Sequence, residues 1–162
     1  MKEHERTFDK YMRSVQLLML DFQFIEELLK IVVGCSYEAL RRSAPSLVHF
    51  RPTRRDLEKD PLGRLIEKYA DVSRNDTLIQ QLRVLVQDRN FCAHQSLVLH
   101  YETQQDVQYL EGECLRLEAI RKKTKPSVEA LHAEFEQFVS FLREPPNTTI
   151  ERDAPEAARP SL

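Results

Sequence analysis

The chain has 162 residues, enough for one domain with a buried core. Apolar residues make up 41% and charged residues 31%, and the net charge is −2 with a pI near 6.2, so bulk charge marks neither nucleic acid nor a membrane surface as a partner. Three glycines are too few for the turns of a sheet protein, while Leu, Glu, Arg, Gln and Ala are frequent, which predicts an all-α domain.

From Phe8 to Val33, apolar residues recur at the i, i+3, i+4, i+7 spacing of a helix that buries one face; Gly34 is one stop for it, and "CSYEALRRS" can equally carry it on. Residues 44–57 hold two prolines and little periodicity, and predict a loop. "DPLGRLIEKYA" then reads as a short helix with Asp60 as N-cap and Pro61 at its first position. Ser73, Asn75 or Asp76 can cap a helix from Thr77 to Leu99. A fourth helix is expected from Gln104 to Lys123, and Ser127 restarts the chain into a fifth that carries Val128, Leu131, Phe135 and Phe138. The expected fold is a bundle of about five helices with a long antiparallel pair. The domain ends at residue 143, and residues 144–162, which hold half of the eight prolines, read as a disordered tail.

Cys35, Cys92 and Cys114 are odd in number and form no CxxC pair, so neither a disulfide framework nor a zinc knuckle is expected. The first residues lack the apolar core of a signal peptide, and no apolar run approaches a membrane span, which predicts a cytoplasmic protein. The five histidines are scattered. Asp21, Glu26 and Glu27 read as a solvated helix face, so neither metal nor cofactor is expected.

The segment "QDRNFCAHQS", residues 87–96, concentrates Arg89, Asn90 and His94 inside a leucine- and valine-rich helix. With about 100° per residue and Arg89 at 0°, Asn90 falls near 100° and His94 near 140°. Asn90 and His94 therefore share a face that the long Arg89 side chain can reach. A fixed cation, an amide and an imidazole are suitable parts for phosphodiester chemistry: a charge clamp, an orienting hydrogen bond and a proton-transfer group. Spacing alone favours a decorated helix face, because single histidines on helices are common. Cys92, two residues before His94, points away from it and is expected in the core or a dimer seam.

"RNFCAH" resembles the Arg-Asn-x-x-Ala-His form of the motif of the HEPN superfamily. A long amphipathic first helix and the "PLGRLIEKY" segment are similar to the surroundings of that motif, over roughly residues 8–142. The resemblance implies an all-α domain that pairs about a two-fold axis, bringing two copies of the motif into one cleft. It further implies a metal-independent endoribonuclease, often the toxin of a toxin–antitoxin or phage-defence system, with RNA as substrate and an antitoxin protein as a possible partner. His94 would be the general acid or base, Arg89 would stabilise the phosphorane charge, and Asn90 would orient a catalytic group or the phosphate. An acidic residue of the first helix, Glu26 or Glu27, is a further candidate by the same resemblance. The alternative within the family is an inactive dimeric module that binds nucleotide, RNA or protein.

Two basic clusters are candidates for following an RNA backbone: Arg51, Arg54 and Arg55 in the loop, and Arg121, Lys122, Lys123 and Lys125 before the last helix. Charge runs of this kind are usually only solvated.

Overall fold

A computed structural model describes residues 3–44, 49, 51–96 and 105–143. Among these the chain forms four α-helices: α1 (Glu3–Ser43), α2 (Leu62–Ala70), α3 (Asp76–Asn90) and α4 (Val107–Arg143). A 3-10 turn at Arg54–Leu57 and a π turn at Phe91–Gln95 complete the described elements, and no strand occurs among them. The all-α class is as the composition predicts. Four helices occur among the described residues, against about five expected for the chain, and the tail expected at 144–162 lies outside the described residues.

Gly34 does not stop α1. The apolar stripe of Tyr11, Val15, Leu18, Phe22, Ile25, Leu29 and Val32 continues to Ser36 and Tyr37, which are also buried. Burial of the next turn outweighs the roughly 1 kcal/mol that a glycine costs inside a helix. Its missing side chain has a use: Arg54 Cγ lies 3.3 Å from where a Cβ would stand, so the stem of Arg54 crosses α1 there. The 3-10 turn occupies the end of the predicted loop, where Asp56 Oδ2 accepts from Thr53 N at 2.7 Å and from Thr53 Oγ1 at 2.9 Å.

The helices expected at 104–123 and after Ser127 are one, α4, which passes through Pro126. Proline removes one backbone hydrogen bond and crowds the preceding turn. Here Pro126 sits on the exposed side, whereas Leu110, Cys114, Leu117, Ile120, Thr124, Ser127 and Leu131 make an unbroken buried stripe. Ser127 is thus a buried residue within α4 rather than a cap. The N-cap of α2 is Pro61, one residue later than expected, and the Asp60 carboxylate instead meets Lys68 Nζ at 2.6 Å. Asn75 caps α3, its side chain accepting from Leu78 N at 3.1 Å.

Contacts give the directions of the chain. Lys10, Ser14 and Leu17 line one groove with Cys114, Leu117 and Arg121, and Val32 and Ser36 line another with Glu134 and Phe138. Residue numbers rise together, so α1 and α4 run parallel. Against them α3 runs the other way: Asn75 meets Glu134, Asp88 meets Lys123, and Phe91 meets Arg116. The antiparallel packing expected of the long helices is therefore between α3 and its neighbours, not between the two longest helices. Leu62, Leu65, Ile66 and Tyr69 bury α2 against the same core. No helix among the described residues is long and apolar enough to cross a membrane.

Candidate functional site: the end of α3

Asp88 and Arg89, about 100° apart on α3, turn to different neighbouring helices. Asp88 turns to α4, with its Oδ2 3.8 Å from Lys123 Nζ. Arg89 turns to α1, where its Nε lies 3.3 Å from Glu26 Oε1 and donates to it. Both members of this second pair are mostly shielded from solvent, at 27% and 19% side-chain exposure, so its geometry is held better than that of a surface pair. Of the two acidic candidates on α1, Glu26 faces the motif, while Glu27 pairs with Lys30 at 2.6 Å.

Asn90 and His94 are exposed, and no hydrogen bond or ion pair joins either side chain to another described residue. Their place follows from α2, which packs antiparallel to α3. Val86 Cγ1 is 3.8 Å from where a Cβ would stand on Gly63, and Arg83 pairs with Glu67. Asn90, one turn beyond Val86, continues that stripe past the first turn of α2 into solvent. Arg89 towards α1 and Asn90 beside it thus share the edge that the helical wheel indicates.

The wheel fails beyond Asn90. Residues 91–95 form a π turn in which the Ser96 N–H donates to the Phe91 carbonyl, five residues back rather than four. The 100° step does not hold across this turn, so the angle read for His94 from a regular helix is replaced by that of a widened one. The Ser96 hydroxyl donates to the Cys92 carbonyl, which an α-helical Ser96 N–H would otherwise occupy. The Ser96 carbonyl accepts from the buried Tyr11 hydroxyl at 2.7 Å. Phe91 is covered by the Arg116 guanidinium, 3.8 Å from its ring centroid.

Cys92 and Tyr11 are buried behind the motif. Burial, then the Asp88 carboxylate, pushes the Cys92 thiol up to about 11. Burial, then Glu113, pushes the Tyr11 hydroxyl up to about 12. Both stay protonated near neutrality, so neither supplies a nucleophile there. Cys92 packs in the core, as expected from its offset to His94. Among the described residues no three His, Cys, Asp or Glu side chains converge as metal ligands would.

The basic clusters are dispersed. Arg121 Nε donates to Asp21 at 2.9 Å, Lys122 reaches Glu118 at 3.4 Å, Lys123 reaches Asp88 at 3.8 Å and Lys125 reaches Glu129 at 3.9 Å, so all four of these charges already face carboxylates. Arg51, Arg54 and Arg55 are exposed, with Arg54 crossing α1 at Gly34, about 12 Å along the helix from Glu26. Sequence reasoning missed Tyr11 and Ser96 at this site. Tyr11 reads as one more apolar residue of the α1 stripe, and a π turn has no residue signature that would have drawn attention to Ser96. Compared with known proteins, the chain matches no family model, no curated protein and no solved structure.

Proposed function

We propose that the protein is a metal-independent endoribonuclease of HEPN type, acting as a homodimer, and that it is of the toxin class. The observation that carries this reading is the contrast at the end of α3: Arg89 is half-buried and oriented by Glu26, whereas Asn90 and His94 beside it are exposed and free of partners among the described residues. With Nε donating to Glu26, the reading assigns the phosphate clamp to the two terminal nitrogens of the guanidinium.

In the proposed reaction an imidazole removes the proton of an RNA 2′-hydroxyl. The 2′-oxygen bonds to the adjacent phosphorus, and Arg89 offsets the added charge of the phosphorane. The bond from phosphorus to the 5′-oxygen then breaks, and the leaving oxygen takes a proton. The products are a 2′,3′-cyclic phosphate and a 5′-hydroxyl. Among the described residues each chain offers one imidazole at this edge, so a pair of chains supplies one His94 as base and the other as acid. Asn90 holds the phosphate or the opposing imidazole. Glu26 acts through Arg89 and is a positioning residue.

The test is incubation of RNA with the protein in EDTA, for wild type and His94→Ala, with product ends identified. The expected result is cleavage that persists in EDTA, leaves cyclic phosphate ends and falls about 10²–10⁴-fold in His94→Ala. A His94→Ala protein that cleaves as fast as the parent overturns the reading. A dimer that binds RNA without cleaving it favours the inactive module instead.

A further inference from the structure

Tyr11 and Ser96 lie far apart in sequence and meet at one place, the π turn under His94. A π turn carries one residue more than the α-helix around it, so it persists only where the groups it displaces find other partners. Here they do. The Cys92 carbonyl, deprived of the Ser96 N–H, accepts from the Ser96 hydroxyl. The Ser96 carbonyl accepts from the Tyr11 hydroxyl. Tyr11 is 1% exposed and Ser96 fully buried, so no water substitutes readily for either bond.

We infer that the Tyr11 and Ser96 hydroxyls are the positioning device of this site, holding the π turn that sets where His94 points relative to Arg89. Tyr11 belongs to α1, and so does Glu26, which orients Arg89. One helix therefore indexes both ends of the motif, the guanidinium through Glu26 and the imidazole through Tyr11. Without the hydroxyls the turn is free to return to the α pattern, with the Ser96 N–H on Cys92. That change restores the 100° step through residues 91–96, so His94, which lies inside the turn, shifts relative to Arg89. A displacement of about 1 Å in a catalytic group can lower a rate about 10²-fold. The holding of the turn stands by itself, while its effect on cleavage rests on the ribonuclease reading.

Two readouts on the full chain separate these. In wild type, Tyr11→Phe and Ser96→Ala, the backbone carbon shifts of residues 91–96 and the His94 ring signals are recorded by nuclear magnetic resonance. Single-turnover cleavage of a short RNA is measured alongside binding of its 2′-deoxy analogue. The expected result is that both substitutions move the shifts of the turn and the His94 ring. Cleavage then falls about 10- to 100-fold with binding of the analogue unchanged. The double variant is no worse than the worse single one, because both act on one turn. Should Tyr11→Phe fail to fold, Ser96→Ala, which keeps nearly the same volume, decides alone. Unchanged shifts in the folded variants overturn the inference, whatever happens to cleavage. Altered shifts with unaffected cleavage overturn the positioning role. If wild type cleaves no RNA yet the shifts move, the ribonuclease reading fails and the hydroxyls still hold the turn.

Discussion

Two polar clusters join the same helices and differ in what they leave open. At the start of α3, Glu134 of α4 accepts from Tyr69 Oη at 2.6 Å and from Asn75 Nδ2 at 2.9 Å, while the Asn75 side-chain oxygen caps α3. Every one of these side chains has an internal partner. About 20 Å further along α3, Arg89 meets Glu26, but Asn90 and His94 beside it face solvent without partners among the described residues. A closed network ties α2, α3 and α4 together. The other has its cation held, and its amide and imidazole have no partner among the described residues. The two clusters therefore differ in completeness rather than in residue type.

That contrast can be broken at its closed end first. Glu134→Leu leaves the fully buried Tyr69 hydroxyl and the Asn75 amide without their acceptor, and should lower unfolding stability by about 1–3 kcal/mol. For a domain of this size the midpoint of thermal unfolding falls by several degrees. Chemical denaturation of the variant checks this, and RNA cleavage below its melting temperature should be unaffected.

Alkaline pH gives a second, shared effect. Cys92, Tyr11 and Tyr69 all have their ionisation pushed upward, first by burial, with Cys92 reaching about 11 and Tyr11 about 12. A raised folded-state value means stability that is present in full below the ordinary value of the group and is lost as pH rises through the raised one. The urea midpoint should therefore be insensitive to these groups at neutral pH. It should decline from about pH 9, the ordinary thiol value, through the range near 11 and 12. A midpoint that holds constant to pH 12 would show that these groups titrate freely in the folded state.

The smallest stability effect belongs to the open cluster. Glu26→Gln removes a partly shielded charge pair and should cost at most about 1 kcal/mol. Its signature is kinetic: slower cleavage, by less than Arg89→Ala produces, since the guanidinium remains but loses its orientation. Equal cleavage by Glu26→Gln and wild type would detach Glu26 from the site.

Much of this was legible in the sequence where periodicity governs. The stripes of α1, α2 and α3 and the outward edge of Asn90 follow from the 3.6-residue repeat, and Asn75 is one of the three caps the sequence offers for α3. Periodicity failed where burial overrode a local breaker. Gly34 reads as one candidate stop and Ser127 as a restart, yet the stripes through Tyr37 and through Ser127 and Leu131 carry both helices onward. It failed again at Phe91–Gln95, because a π turn is chosen by tertiary partners, here the hydroxyl of a residue 85 positions away. Glu26 could be separated from Glu27 only by the packing of α1 against α3.

The most direct test sets His94→Ala beside Glu134→Leu, measuring thermal stability and RNA cleavage in EDTA for both. The expected result is crossed: His94→Ala keeps its melting temperature and loses cleavage, while Glu134→Leu loses stability and keeps cleavage in the cold. A His94→Ala protein that retains the parental rate would contradict the assignment of the chemistry to the open end of α3.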